Sequence, residues 1–242
     1  MLDFKLFNIP VRVEPWFWAI GFVLGGGFDI NGRDSLISVI LWIIVLFVSI
    51  LVHEFGHALT SRKLTKVNPS VKLWGMGGLA YPNTNLTRKE SFRVTWAGPL
   101  AGLAFFGVVA LICCLVYGVR PGAGIISYFI YPGDHVVDSG TYAAFKSMNG
   151  VTEELLHALV FINFWWSLVN LLPVYPLDGG QIYAAVETSQ RKVYQVGVAT
   201  GAIVAIVGWM VFKDWWVALL FGYLAYQNYQ RLQQLTGSGG FR

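Results

Sequence analysis

Three residues in the first quarter of the chain, His53, Glu54 and His57, have the types and the spacing of a metal-dependent hydrolytic site. On a helix, residues four apart lie on one face, so both imidazoles can reach a single ion. Zinc accepts neutral imidazole nitrogens, and a carboxylate beside the first histidine can accept a proton from a water molecule that the metal activates. The spacing therefore predicts one zinc ion with His53 and His57 as ligands and Glu54 as the catalytic base. The alternative is a pair of core histidines satisfied by hydrogen bonds, which leaves Glu54 without a role.

A further carboxylate follows a proline-rich segment, residues 170–180, which reads NLLPVYPLDGG. Pro173 and Pro176 predict a break in a membrane helix, and such a break frees backbone groups that need polar partners. Asp178 comes just after it and would complete a set of two histidines and one carboxylate, which leaves zinc one open position. A boundary aspartate with no metal role is the alternative. Asn170 could hold a substrate carbonyl or make an interhelical hydrogen bond.

Membrane helices must position these side chains, because apolar residues make up 55% of the 242 residues and charged residues only 12%. Soluble domains contain about 25% charged residues. Four charge-free intervals are long enough to span a bilayer, namely 35–53, 94–119, 155–177 and 193–212. Two shorter aromatic-rich intervals, 15–28 and 215–230, are interpreted as a first and a sixth span, with re-entrant or interfacial segments as the alternative.

The predicted fold class is an all-α polytopic membrane protein with about six transmembrane helices and a short membrane-associated β-hairpin. We expect a single membrane-embedded domain over residues 1–242, with a core at 36–180 and C-terminal helices at 193–232. Residues 71–82, VKLWGMGGLAYP, are interpreted as the hairpin, or as a plain connecting loop. Its exposed edge could pair with an unwound substrate segment, so Gly77 and Gly78, together with Pro173 and Pro176, are candidate substrate-binding residues.

The basic residues predict the orientation. Seven of the seventeen lie between the second and third predicted spans, so this connection is expected on the cytoplasmic side, together with the histidine site. Residues 1–14 are interpreted as an amphipathic lead-in on the inner membrane surface or as a disordered leader. Glycines spaced for close helix contact occur in the third and fifth spans, at positions 98, 102, 197, 201 and 208.

Other functions find little support in the residues. The net charge of +4 is small and dispersed, so no nucleic-acid partner is expected. The adjacent Cys113 and Cys114 point apart on a helix and are interpreted as packing residues. Asp134, His135 and Asp138 in the predicted outer loop could form a second metal site, but they are expected to be solvated loop residues.

Three motifs together resemble the site-2 protease family of intramembrane zinc metalloproteases. They are HEFGH at 53–57, AGPL at 97–100 and NLLPVYPLDGG at 170–180, in the order the family has them. The resemblance implies His53, His57 and Asp178 as zinc ligands and Glu54 as catalytic base. It also implies single-span transmembrane proteins as substrates, cut within or near the lipid bilayer of a prokaryotic cytoplasmic membrane.

The chain departs from the family in ways that bear on regulation. Gly102 stands where the family often has asparagine, and residues 120–154 are too few for the PDZ domain that many members carry. Gating would then depend on the membrane domain itself or on a regulatory membrane partner. Two other functions stay open at this point, a zinc-binding transporter and a non-catalytic membrane adaptor.

Overall fold

Helices and one small sheet account for the architecture of this computed structural model, which describes residues 1–75, 77–131 and 137–237. The elements follow in this order: β1 (Leu2–Leu6), β2 (Ile9–Val13), α1 (Pro15–Leu24), α2 (Arg33–Thr65), β3 (Ser70–Trp74), β4 (Gly77–Tyr81), α3 (Arg88–Tyr117), α4 (Val119–Ile130), α5 (Ser139–Ser147), α6 (Gly150–Asn170), α7 (Asp178–Val186), α8 (Gln190–Met210) and α9 (Trp215–Gly237).

The sheet has four strands in the order β1-β2-β3-β4, so the prediction of an all-α protein with one hairpin is corrected. The predicted hairpin within 71–82 is confirmed as β3 and β4, which pair antiparallel. A second hairpin, β1 and β2, turns at Phe7 and Asn8, where φ is positive at both residues, as a tight hairpin turn requires. Strand β2 pairs with β3 in parallel and joins the two hairpins.

The N-terminal hairpin replaces the amphipathic lead-in predicted for residues 1–14. Ile9, Val11 and Val13 are buried, and the two residues between them are exposed. This alternation has the period of a strand, whereas a surface helix would group its apolar residues every three or four positions.

Three helices, α2, α3 and α8, are long and apolar enough to cross a membrane. The predicted count of six spans is not confirmed. Helix α1 has ten residues and is about 15 Å long, half of a bilayer's hydrocarbon core of about 30 Å. Helices α6 and α9 overlap the predicted fourth and sixth spans. The predicted helix break is confirmed, because α6 ends at Asn170 and α7 starts only at Asp178.

Packing divides the described chain into two units, the first made of Met1–Asn85 and Ala97–Ser167. One of its apolar clusters joins the sheet to α1, α2 and α6, and a second joins α3 to α4, α5 and α6. Helix α4 packs tightly on α3, because a Cβ at Gly122 would lie only 2.6 Å from the backbone of Cys114. The region predicted as an outer loop therefore contains two packed helices.

The second unit contains Leu86–Trp96 and the chain from Leu168 onward. Helices α8 and α9 lie side by side through three glycines of α8, since a Cβ at Gly197, Gly201 or Gly208 would meet Asn228, Ala225 or Val217 respectively. The predicted close packing at these glycines is confirmed. Val174, Phe221 and Leu224 form the buried apolar core of this unit.

Candidate metal centre

Two imidazoles converge inside the first unit. His53 and His57 lie one turn apart on α2, with 2% and 7% of their surface exposed. Their Nε2 atoms are 3.2 Å apart, and the rings meet edge to face with centroids 4.9 Å apart. Both side chains thus present the same nitrogen to one small volume.

This geometry fits a zinc ion. Two nitrogens bound tetrahedrally at the usual zinc–nitrogen distance lie about 3.3 Å apart. The observed Nε2 separation of 3.2 Å agrees with that value. Placing polar rings in the apolar part of a membrane helix is costly unless they have partners, and a shared cation supplies one to each ring.

A carboxylate completes the donor set. His53, His57 and Asp178 are buried, and one ligand atom from each lies within 4.8 Å of the others. Within residues 1–75, 77–131 and 137–237, which the structure describes, these three side chains form a group that could hold a metal ion. Two nitrogens and one carboxylate oxygen leave a tetrahedral ion one position for water or substrate, the coordination typical of hydrolytic zinc sites.

Helix α3 leaves space for the two imidazole rings. A Cβ at Gly98 would overlap the His57 ring and would lie 2.8 Å from the His53 Nε2 atom. Gly56, between the two histidines, faces the backbone carbonyl of Ala97 at a distance that leaves no room for a Cβ. The two glycines therefore allow α2 and α3 to approach each other at the level of the histidines.

Glu54 is 4% exposed and lies against strand β4. A Cβ at Gly78 would overlap its carboxylate, so the strand backbone passes directly beside this group. Gly77 has φ of +117° and packs on the ring of Trp166, so a side chain there would be both strained and crowded. Of the four predicted substrate-binding residues, Gly78 therefore lies beside Glu54 and Gly77 beside Trp166.

A buried hydrogen bond fixes α2 one turn before His53. Asn163 of α6 donates from Nδ2 to the Ser49 hydroxyl at 2.9 Å and to the Leu159 carbonyl at 2.8 Å. Both side chains are 2% exposed. Asn163 therefore joins two helices.

The segment before Asp178 folds tightly on the start of α7. A Cβ at Gly179 would overlap the Leu171 carbonyl, and a Cβ at Gly180 would lie 2.5 Å from the Tyr175 nitrogen. Asp178 is the first residue of α7, where the unpaired backbone N–H groups favour a negative charge. The DGG sequence thus combines a carboxylate with two residues small enough to pack under the preceding loop.

The remaining predicted residues lie as follows. Asn170 is the last residue of α6 and is half-buried, as is Pro173, whereas Pro176 is exposed. Asp134 and His135 lie outside the described residues. Asp138 is the N-cap residue just before α5. It accepts hydrogen bonds from the N–H groups of Gly140 and Thr141 and from the Thr141 hydroxyl, which hold its pKa below the usual value.

No functional role is predicted from the sequence for three residues near the site: Ser49, Gly56 and Gly98. A glycine inside an apolar helix costs about 1 kcal/mol relative to alanine. Gly56 and Gly98 both carry that signal, and it indicates a close approach by another group. Nothing in the sequence indicates which group approaches, because that depends on how α2 and α3 pack.

Comparison with known proteins places the whole centre within one family model. The model described as Peptidase family M50 matches residues 41–212, which include every residue of the centre. The protein Rip3 of Mycobacterium tuberculosis is 28% identical over 172 residues, which are 69% of this chain and 36% of Rip3. Zinc metalloprotease MJ0392 of Methanocaldococcus jannaschii is 26% identical over 183 residues, which are 76% of this chain and 44% of that protein.

The chain thus spans less than half the length of these two relatives. Among solved structures, the site-2 protease from Methanocaldococcus jannaschii matches with a TM-score of 0.55 and 20% identity. The match covers 96% of this chain and 94% of the solved chain. This likeness shows a common fold.

Proposed function

This chain belongs to peptidase family M50 and is an integral membrane protein, and we propose that it is a zinc endopeptidase that cleaves transmembrane segments of other membrane proteins. One observation carries the proposal. His53, His57 and Asp178 bring three ligand atoms within 4.8 Å of one another, and the residue after the first histidine is a buried glutamate. A site that only stored or sensed zinc would not need that glutamate.

In the proposed mechanism His53, His57 and Asp178 hold the zinc ion, which when bound supplies a Lewis acid next to the scissile carbonyl. Glu54 accepts the proton of the attacking water and later gives it to the departing amine. Asn170 donates a hydrogen bond to the carbonyl oxygen as negative charge develops there. Burial of Glu54 limits its access to bulk water, so the proton it accepts stays available for the leaving group.

We propose that the substrate binds in extended form along β4. A transmembrane helix hides its carbonyls in its own hydrogen bonds, so it must unwind before cleavage. Strand β4 pairs with β3 on one side and is the last strand of the sheet among the described residues. An unwound segment can add to the other edge through backbone hydrogen bonds, beside Glu54. Gly77 and Gly78 leave both faces of the strand without side chains at this point, and Pro173 and Pro176 lie in the loop before Asp178.

The proposed orientation places the connection between α2 and α3 in the cytoplasm, because it carries seven of the seventeen basic residues. We infer that single-span membrane proteins of a prokaryotic cytoplasmic membrane are the substrates, and that a regulatory membrane partner controls access. The six-span count and the single domain over 1–242 stay predictions.

The test is cleavage of a panel of transmembrane-helix substrates in detergent by wild-type protein and by Glu54→Gln. We expect the variant to lose at least about 100-fold in turnover, because the amide cannot accept the proton. Glu153→Gln is the matched control, since Glu153 is an exposed carboxylate in the first turn of α6.

Equal cleavage by the wild type and Glu54→Gln would reject Glu54 as the base. Cleavage by neither protein, with zinc flux into proteoliposomes, would instead identify a transporter. Substrate binding that is equal in both proteins and never followed by cleavage would identify an adaptor.

A further inference from the structure

The loop that precedes the ligand Asp178 is held by one face of the last helix, α9. Residues 171–177 join α6 to α7, and Val174 in the middle of this loop is fully buried. It packs on Phe221 and Leu224 of α9. The face continues with Asn228 and Arg231, because residues three or four apart on a helix lie on the same side.

Asn228 binds the loop backbone directly. Its Nδ2 atom donates to the Tyr175 carbonyl at 2.6 Å and to the Leu224 carbonyl of its own helix at 2.8 Å. The side chain is 0% exposed and lies against Gly197 of α8, where a Cβ would overlap its amide oxygen. A buried amide clamped between α8 and the loop has little freedom to turn.

Arg231 contacts the aromatic ring of the same loop residue, Tyr175. The guanidinium lies over the Tyr175 ring at 4.4 Å from the centroid and 6.0 Å from the Tyr194 centroid. The two tyrosine rings meet edge to face at 6.1 Å. Tyr175 is therefore held twice by α9, at its backbone carbonyl and at its side chain.

These contacts reach Asp178 through backbone packing. Tyr175 stands three residues before Asp178, and its nitrogen lies 2.5 Å from where a Cβ of Gly180 would be. Gln181 of α7 donates from its side chain to the Pro176 carbonyl at 2.9 Å. A shift of Tyr175 must consequently move the start of α7, and with it the Asp178 carboxylate.

We propose that Asn228 and Arg231 are positioning residues that set the Asp178 carboxylate for zinc through Tyr175. The proposal rests on the zinc site proposed above, but it concerns a helix that lies outside the matched residues 41–212. Neither residue belongs to the proposed ligand set of His53, His57 and Asp178. Asn228 and Arg231 would instead keep the Asp178 carboxylate in the position that zinc binding requires. Mutation of residues that orient a metal ligand typically lowers metal affinity 10- to 100-fold.

The experiment measures zinc affinity by chelator competition on purified protein in detergent, and the visible absorption spectrum after cobalt substitution. Asn228→Leu removes the donor at similar volume, and Arg231→Met removes the cation while keeping an unbranched side chain. Gln230→Leu is the matched control, because Gln230 is exposed on the same helix and donates to the Tyr226 hydroxyl of that helix. Arg231→Lys keeps a cation over the Tyr175 ring and tests for rescue.

We expect Asn228→Leu and Arg231→Met each to weaken zinc binding about 10-fold or more and to change the cobalt spectrum. Gln230→Leu should match the wild type, and Arg231→Lys should recover part of the affinity. If Asn228→Leu does not fold, Arg231→Met alone tests the proposal. Arg231 is half-exposed, so its replacement is expected to leave the protein folded.

Zinc affinity within about twofold of the wild type and an unchanged cobalt spectrum in the folded variants would overturn the proposal. A lower melting temperature with both metal readouts unchanged would also overturn it, because it would assign α9 a purely structural role. A wild type that binds no zinc overturns the zinc site and this inference together. A wild type that binds zinc without cleaving any substrate rejects only the proteolysis, because the affinity comparison still supports the positioning role.

Discussion

Gly98 determines whether the two imidazoles can occupy their observed places. It belongs to α3, forty-one residues after His57 in the chain, and yet the space that its missing Cβ leaves is filled by the His57 ring. Any side chain there must move an imidazole or separate two tightly packed helices. A single methyl group on another helix can therefore impair metal binding without changing a ligand.

We expect Gly98→Ala to abolish zinc binding or weaken it at least 100-fold, because the new methyl overlaps the His57 ring. Gly107→Ala is a control in the same helix, since among the described residues no atom outside its own stretch of helix lies within 4 Å of its Cβ position. That control should bind zinc normally, with equal or slightly higher stability, as alanine favours helix. The measurement is the zinc content and affinity of both purified variants. Normal affinity in Gly98→Ala would mean that the helices separate easily at this point.

The sequence predicted the chemistry of the centre better than its surroundings. Residues His53 and His57 must share a helix face once α2 forms, because their spacing of four determines this locally. The spacing of Gly98 predicts close helix contact, but its approach to the imidazoles could not be predicted, since many arrangements of α2 and α3 satisfy the same apolar pattern. The spacing of residues along one helix can be read from the sequence, whereas the helix that packs against it depends on tertiary structure.

Among the elements, α2 and α6 are joined by the buried bond between Ser49 and Asn163. It lies one turn before the histidines, so it limits rotation of the helix that carries them. Buried polar contacts between membrane helices contribute about 0.6 kcal/mol on average. The bond therefore fixes the register of α2 more than it increases total stability.

A double-mutant cycle with Ser49→Ala and Asn163→Leu should give a coupling energy of about 0.6–1 kcal/mol. Each single change leaves one buried polar group without its partner, so each should cost more than half of the double change. Unfolding in detergent micelles gives the free energies of unfolding. Ser38→Ala serves as the comparison, because its hydroxyl bonds to the Asp34 carbonyl within α2. A coupling energy of zero would mean that the two side chains act independently.

Element boundaries could be predicted where a residue type forces them. Pro173 and Pro176, three residues apart, together disfavour a continuous helix, and α6 indeed ends at Asn170. Strands β1 and β2 were missed because they are short and because apolar residues near a membrane also suit an interfacial helix. Their pairing partner, β3, follows 57 residues after the end of β2, so local reasoning could not find it.

For the whole molecule, the orientation proposed from the basic residues has a direct test. In a background with both native cysteines replaced, Lys66→Cys should react with a membrane-impermeant maleimide only after the cells are opened. Lys213→Cys, between α8 and α9, should react in intact cells, because the proposed topology places it outside. Both positions are exposed. The reverse pattern would place the centre near the outer surface.

The parallel pairing of β2 with β3 determines when the sheet can form during synthesis. Strand β2 ends at Val13, but its partner begins at Ser70, so the ribosome must make α1 and all of α2 before the sheet can close. At about 5–20 residues per second, this interval lasts several seconds. Throughout it, the first hairpin has no second strand pair to join, and the backbone that will lie beside Glu54 does not yet exist. Under the proposed binding mode, the nascent protein therefore has its histidines before it has the strand that would present a substrate to them.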